Sequence, residues 1–142
     1  MSRTIVLDCA VSATWFIPDE SSSHAQRILA DIMDRKCTMI VPSLWWFEIM
    51  NVLRSAVLRK RIDEQAARTA VLLLKEIPKE VVEPETQGQF GILSLALADR
   101  LSAYDAAYLH LAHSCGAELF TLDTDLLSLK GKYKFIKHPS GY

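Results

Sequence analysis

Short apolar runs alternate along the chain with longer segments in which apolar residues recur every three or four positions. The runs are bounded by charged residues, glycine or proline, a pattern typical of buried strands. They predict five strands, at residues 4–7, 37–42, 79–84, 117–123 and 132–138. The first run ends directly on a carboxylate, Asp8, which is an unusual neighbour for a core strand.

The longer segments predict helices. Serines precede the apolar positions of the first segment as N-cap residues, and Pro78 and Gly116 end two of the others. The predicted helices cover residues 21–36, 43–61, 63–77, 91–101 and 102–116, with a further helix before the last strand. Strands that alternate with helices predict an α/β layered fold with a central, mostly parallel sheet flanked by helices.

Length and composition are those of one ordinary globular domain. The chain has 142 residues, 50% of them hydrophobic, which predicts a single domain over residues 1–142. The 16 Lys and Arg residues nearly balance the 17 Asp and Glu residues. This balance excludes a histone-like polycation but allows a local basic stripe that binds nucleic acid.

Cysteine usage and hydropathy predict the compartment. Cys9, Cys37 and Cys115 form no CxxC motif and no Cys/His cluster, so we expect reduced thiols in a cytoplasmic protein, not disulfides or a zinc site. The amino terminus lacks the pattern of a secretory signal, and no run of 18 uncharged apolar residues occurs. No membrane association is expected.

Two acids follow predicted strands. Asp8 ends the first strand and Asp123 ends the fourth, so both should project from the same edge of a parallel sheet. Either could equally be the N-cap of the helix that follows it.

Glu48 lies within a predicted helix, on a mostly apolar stripe that also carries Asn51. A carboxylate buried alone on such a stripe costs several kcal/mol, so Glu48 requires a cation, a metal ion or a wet cleft. A salt bridge to Arg54 or Arg59 is the structural alternative.

Asp105 lies near the start of the helix at 102–116. Ser102, three residues earlier, predicts a capping box in which the acid bonds back to the cap. Capping and metal binding are compatible, because a helix end often lies at the rim of a cleft.

Taken together, the four acids predict one cluster, and such a cluster repels itself unless it is protonated or neutralised by cations. Oxygen ligands without Cys or His partners suit Mg²⁺ or Mn²⁺ better than zinc. These ions are commonly used to hydrolyse phosphodiesters. The neighbouring thiol of Cys9 is a poor nucleophile, because an adjacent anion raises its pKa.

Two further features lie on the Glu48 helix. Its end carries the basic residues Arg54, Arg59 and Lys60, which are either solvated cations or phosphate contacts for RNA. The aromatic triplet at 45–47 cannot point all its rings inward, so at least one ring should lie at the surface or in an interface. It could also belong to a groove for the helix of a partner protein or to a base-stacking surface.

Four segments, in order, carry a resemblance to a known family: IVLDCAVSATWFIPDE, VPSLWWFEIMNVL, LSAYDAAYLHLA and LFTLDTDL. Over essentially its whole length the chain resembles the PIN-domain ribonucleases, and among them the VapC toxins of bacterial toxin–antitoxin pairs. The resemblance implies a PIN-like three-layer fold and a Mg²⁺- or Mn²⁺-dependent endoribonuclease that leaves a 5′-phosphate and a 3′-hydroxyl. It also implies a transfer RNA or ribosomal RNA substrate, a VapB-type antitoxin and a homodimer.

The resemblance also implies the site residues. The metal-binding and catalytic acids fall on Asp8, Glu48, Asp105 and Asp123. Thr121 is the hydroxyl that precedes the last acid, and with Ser12 and Asn51 it is expected to support the acids by hydrogen bonds. Related toxins usually carry Ser or Thr two positions after the first acid, where this chain has Ala10. Asp125 is an extra acid, expected to be an exposed residue in the first turn of the next helix.

Two non-enzymatic alternatives are open. A receiver-like regulatory domain also holds an acidic Mg²⁺ pocket at strand ends, but it needs adjacent acids after the first strand, where Asp8 is followed by Cys9. It also needs an Asp at the end of the third strand, and here that strand ends near Glu83. A degenerate PIN domain that only binds RNA or protein is the second alternative.

Overall fold

A computed structural model describes residues 3–142, so the first two residues of the predicted domain lie outside the described part. Five strands form one sheet in the order β3-β2-β1-β4-β5, and every neighbouring pair is parallel. The strands are β1 (Arg3–Leu7), β2 (Cys37–Pro42), β3 (Glu80–Val82), β4 (Glu118–Phe120) and β5 (Ile136–Lys137). The prediction of a mostly parallel sheet is thus confirmed, and the described sheet is parallel throughout.

Within residues 3–142, seven helices connect and cover the strands. They are α1 (Cys9–Ala13), α2 (Ser23–Met33), α3 (Trp45–Leu58), α4 (Glu64–Glu76), α5 (Thr86–Asp99), α6 (Ala103–Cys115) and α7 (Thr124–Leu127). Short 3₁₀ turns lie at Pro18–Glu20 and Pro139–Gly141. This is the PIN-like α/β architecture that the resemblance implied.

Local chemistry explains where the longer helices begin and end. Ser22, Asp63 and Ser102 each cap a helix by accepting a hydrogen bond from the backbone N–H three residues later. Gly116 ends α6 with a φ of 61°, a left-handed conformation that glycine adopts without strain.

The core lies on the central strands. Ile5, Val6 and Leu7 of β1 are all fully buried. Because successive side chains of a strand point to opposite faces of the sheet, both faces must be covered at β1. Helix α6 packs on β1, β2 and β4, and α2 packs on β2. The sheet is therefore the middle layer of three, and it gives the strand ends a rigid base.

Four element predictions need correction. Strand β4 ends at Phe120 and not at Asp123, which lies three residues further on as the N-cap of α7. Helix α1 was not predicted, because five residues are too short to show helical periodicity. Helix α5 begins at Thr86 and not at residue 91, because its polar first turn hides its start. Strand β5 has only two residues, because the chain before it turns, with Tyr133 N–H donating to the Leu129 carbonyl.

The expectation for the aromatic triplet is met in the described residues. Of the aromatic triplet, Trp45 is fully buried while Phe47 is 81% exposed, so one ring does lie at the surface. No helix within residues 3–142 is both long and apolar enough to cross a membrane.

Candidate metal centre

Two of the predicted acids meet at the carboxyl ends of the neighbouring strands β1 and β4. Leu7 is in register with Phe120, and the chain leaves these strands toward Asp8 and Asp123. The Thr121 hydroxyl lies between the two acids. It donates a hydrogen bond to Asp8 Oδ2 and accepts one from the Asp123 N–H at 2.9 Å.

Both acids are also helix caps. Asp8 Oδ1 accepts from the Val11 N–H at 3.1 Å and so begins α1, and Asp123 Oδ1 accepts from the Leu126 N–H at 3.0 Å and so begins α7. Both residues are therefore helix N-caps, as the alternative interpretation required. This role does not prevent the two acids from lying at the same edge of the sheet. Capping fixes one oxygen of each carboxylate and places both side chains at the same edge of the sheet.

The other two acids come from helices that close the cavity. Asp105 lies in the first turn of α6, where its N–H donates to the Ser102 hydroxyl at 3.1 Å. Glu48 lies in the first turn of α3 and accepts a hydrogen bond of 2.6 Å from the Tyr108 hydroxyl. All four acids line one cavity of about 370 Å³, whose walls are Asp8, Cys9, Ala10, Glu48, Asp105, Tyr108, Leu122, Asp123 and Thr124.

Asp125 joins this group from α7. As expected, it is exposed and lies in the first turn of its helix. Nevertheless, carboxylate oxygens of Asp105, Asp123 and Asp125 all lie within 4.8 Å of one another. Asp125 therefore adds a further oxygen donor to the mouth of the cluster.

Burial and mutual repulsion raise the pKa values of three of these acids, Asp8, Asp105 and Glu48. Burial is the main cause for Asp8, which is only 5% exposed, and hydrogen bonds from Thr121 and the backbone oppose it. The pKa of Asp105 rises to about 6, because of burial first and then because of the charges of Asp123, Asp125 and Asp8. Burial is the main cause of the raised pKa of Glu48; the hydrogen bond from Tyr108 opposes it, and the charges of Asp8, Asp105 and Asp123 add to it.

The charge of the cluster is not balanced by the protein. Among residues 3–142, no Lys, Arg or His side chain forms an ion pair with Asp8, Glu48, Asp105 or Asp123. The salt bridge from Glu48 to Arg54 or Arg59 is therefore not formed. Because these ligands are all carboxylate oxygens and no basic side chain of the described residues pairs with them, the set fits a hard divalent ion such as Mg²⁺ or Mn²⁺.

The expected supporting residues fall in different places. Thr121 contacts two of the acids, as described above. The Ser12 hydroxyl is fully buried and has no hydrogen-bond partner in the described residues, because Ser12 lies one turn into α1, which packs against α3. Asn51 is exposed and lines a neighbouring groove instead of the acid cavity.

That groove contains two of the three predicted basic residues. It has a volume of about 760 Å³ and adjoins the acid cavity, because Ala10 and Leu122 line both. Arg54 and Arg59 line the groove, together with Arg61. Lys60 is not part of the lining, since it lies in the turn after α3 with a left-handed φ of 58°.

Two cavity residues bear on how the site was predicted. Tyr108 was not predicted to be a site residue, because an aromatic residue on an apolar helix normally indicates core packing. Its position three residues after Asp105, on the same face of the helix, is the signal that could have identified it. The raised pKa of the Cys9 thiol is as expected, although burial contributes more than the charges of Glu48 and Asp8. A thiol in this environment stays protonated and is not a nucleophile.

Comparison with known proteins identifies the family. The family model of the PIN domain matches residues 5–132. The chain is 28% identical over 123 residues to ribonuclease VapC3 from Pyrobaculum aerophilum, covering 86% of this chain and 91% of that protein.

Solved structures agree on the fold. The crystal structure of PAE2754 from Pyrobaculum aerophilum aligns with a TM-score of 0.73 at 21% identity, covering 99% of this chain and 94% of that one. The structure of VapBC2 from Rickettsia felis, bound to a DNA fragment from the promoter, aligns with a TM-score of 0.70 at 10% identity and covers 95% and 98% of the two chains. By its family-model match over most of its length, the chain belongs to the PIN domain family.

Proposed function

We propose that this protein is a VapC-type toxin, a Mg²⁺- or Mn²⁺-dependent endoribonuclease whose single PIN domain spans residues 1–142 and acts in the cytoplasm. The observation that carries the proposal is the cavity at the carboxyl ends of β1 and β4. Four carboxylates from four parts of the chain line it, and no ion pair within residues 3–142 neutralises them. The similarity to ribonuclease VapC3 supports RNA as the substrate.

Asp8, Glu48, Asp105 and Asp123 would hold the ion, and Asp125 offers a further oxygen at the mouth. When bound, a divalent ion supplies the positive charge that activates water and stabilises charge on phosphate oxygens. The protein contributes fixed geometry. Because backbone N–H groups hold one oxygen of Asp8 and one of Asp123, these acids are already oriented before substrate binds.

The basic groove provides a route for the RNA backbone to the acids. Arg54 and Arg59 form no ion pair with an acid in residues 3–142, whereas Arg61 is paired with Asp19 and Glu20. The first two guanidinium groups are therefore available to phosphates. We propose Arg54 and Arg59 as the main RNA contacts; Lys60, one residue further on, would act only on RNA that extends beyond the groove.

An apolar groove between α3 and α4 fits the helix of a VapB-type antitoxin. Its floor includes Leu53, Val57 and Val71, and Arg54 and Arg68 lie among its polar lining residues. Arg68 is paired with Glu64, which also lines the groove, so an amphipathic helix with an acidic residue placed beside Arg54 would complement this surface. Because Arg54 lines both grooves, an antitoxin bound here would lie beside the RNA route. Leu58 also lines this groove and is exposed, so Leu58→Glu should prevent co-purification with the antitoxin but leave RNA cleavage by the free toxin intact.

A second apolar surface supports a homodimer. Helix α5 has no buried residue, and Phe90, Leu93 and Leu97 on it are all more than half exposed. Contiguous exposed apolar side chains of this kind are typical of an interface. We propose that two copies of the chain associate through α5.

The alternatives receive less support. A receiver-like domain would need a second acid beside Asp8 and an Asp after the third strand, but Cys9 follows Asp8 and Glu83 follows β3. A degenerate PIN domain would be expected to lack part of the acid cluster, whereas all four acids are present around one cavity.

Incubation of purified protein with total cellular RNA tests the proposal. Reactions with Mg²⁺, with Mn²⁺ and with EDTA should be run beside Asp8→Asn and beside Asp34→Asn, a matched control that removes an exposed acid outside the cavity. We expect metal-dependent cuts at a few sites with wild type and Asp34→Asn, and none with EDTA or Asp8→Asn. Cleavage by Asp8→Asn at the wild-type rate would refute the assignment. Folded Asp8→Asn protein is verified by its thermal unfolding transition.

A further inference from the structure

Tyr108 and Glu48 are joined across the acid cavity, although 60 residues separate them in sequence. The Tyr108 hydroxyl donates to Glu48 Oε1 at 2.6 Å, and this bond connects α6 to α3. Tyr108 is only 2% exposed, so its ring is fixed by the core on which it packs. The hydroxyl is thus a donor held in place by the interior of the protein.

Glu48 depends on this contact for its orientation. A glutamate side chain has several rotatable bonds, and no other hydrogen bond or ion pair to its carboxylate exists within residues 3–142. Asp8 and Asp123, in contrast, are each held by a backbone N–H. Glu48 therefore differs from Asp8 and Asp123, because its only hydrogen bond in the described chain comes from another side chain.

The position of Tyr108 on its helix suits this purpose. It lies three residues after Asp105, so both side chains occupy one face of α6, and both line the cavity. A single helix thus contributes one acid directly and orients a second acid that comes from α3.

We propose that Tyr108 is a positioning residue for the metal centre, whose hydroxyl fixes the Glu48 carboxylate for binding a divalent ion. This inference rests on the proposed function, because it requires that the cavity bind Mg²⁺ or Mn²⁺. Groups that orient metal ligands by hydrogen bonds typically affect metal affinity by about 10- to 100-fold. Tyr108 touches neither the ion nor the RNA in this proposal and acts only through Glu48.

The test is Mn²⁺ binding by the free protein, measured by calorimetry and by the paramagnetic resonance signal of unbound Mn²⁺. Tyr108→Phe keeps the ring and removes the hydroxyl. Tyr133→Phe is the matched control, because the Tyr133 hydroxyl donates to Asp99 at the same distance of 2.6 Å, away from the cavity. We expect the Mn²⁺ dissociation constant to rise about 10-fold in Tyr108→Phe and to stay unchanged in Tyr133→Phe.

A double-mutant cycle with Glu48→Gln separates positioning from general structural damage. If Tyr108 acts through Glu48, Tyr108→Phe should change the dissociation constant by less than about 2-fold once Glu48 is replaced. An equal loss in both backgrounds would overturn the inference, as would wild-type affinity in Tyr108→Phe. If wild type itself binds no Mn²⁺, the proposed metal centre is wrong, an outcome distinct from a failure of Tyr108 alone.

Discussion

The Thr121 hydroxyl donates a hydrogen bond to the Asp8 carboxylate, and this contact joins the two strands that end at the acid cavity. Thr121 is fully buried and Asp8 nearly so, which leaves neither group a ready alternative partner in water. The same hydroxyl accepts from the Asp123 N–H. One side chain therefore stabilises the first acid and fixes the backbone of the second.

Replacement of Thr121 by valine should lower the free energy of unfolding by about 2 kcal/mol at pH 7.5, because a buried carboxylate loses a donor and an N–H loses its acceptor. Valine has nearly the same volume, so packing should change little. Thr121→Ser keeps the hydroxyl and should lose about 1 kcal/mol or less. Urea unfolding of the three proteins measures the difference; equal losses in both variants would assign the role of Thr121 to packing.

Asp8 shows how much of the site could be predicted from local pattern. A carboxylate directly after an apolar run is anomalous in any α/β fold, and parallel pairing brings two such strand ends together. The prediction that Asp8 and Asp123 share an edge is confirmed for this reason. The roles assigned to these acids stay a prediction until cleavage and metal binding are measured.

Tyr108 and Ser12 show where local pattern fails. The partner of Tyr108 lies 60 residues away, and only the packing of α6 against the sheet and the course of α3 bring the two side chains together. Ser12 was expected, from the resemblance, to support the acids, yet it is fully buried in α1 and its hydroxyl bonds to none of them within the described residues. Sequence distance predicts contacts within a helix turn, but it does not predict which face the core will cover.

The raised pKa of Asp105 predicts how stability depends on pH. In the unfolded chain Asp105 titrates near 3.8, and in the folded protein near pH 6. Between these values the folded state binds more protons than the unfolded state, so the free energy of unfolding should fall as pH rises through this window. Because Asp105 is only partly buried and solvent screens its charge, we expect a loss of about 1 kcal/mol between pH 4.5 and pH 7.

Urea unfolding at both pH values, for wild type and Asp105→Asn, measures this effect. The variant carries no titrating group at this position and should lose less stability as pH rises. Addition of Mn²⁺ at pH 7 should restore the stability of wild type, since a cation relieves the repulsion that raised the pKa. A wild-type protein that gains stability over the same range relative to Asp105→Asn would contradict the prediction.

Arg59→Ala should weaken RNA binding and flatten its dependence on salt. If Arg59 neutralises one phosphate, its loss should reduce the slope of log K against log salt by about 0.7, the value for a single-stranded contact. Binding is measured by fluorescence anisotropy in the Asp8→Asn background, so that the RNA stays intact. Lys60→Ala is the neighbouring control, since Lys60 does not line the groove, and it should change the slope less. An unchanged slope in Arg59→Ala would remove this residue from the RNA route.

Leu97→Glu should convert a dimer into a monomer. Leu97 is 73% exposed and lies on α5, which has no residue buried by its own chain, so the apolar face of this helix is available to a second copy. A glutamate placed in an apolar interface would lose its hydration without gaining a partner, and this costs several kcal/mol. In a symmetric dimer both copies carry the substitution, so the cost arises twice. Sedimentation equilibrium over a range of concentrations measures the dissociation constant.

Leu72→Glu is the matched control, because Leu72 is 65% exposed but lies on α4. The α5 interface is supported if only Leu97→Glu dissociates the protein; it is excluded if Leu97→Glu dimerises as wild type does, and a selective effect of Leu72→Glu would instead place the interface on α4.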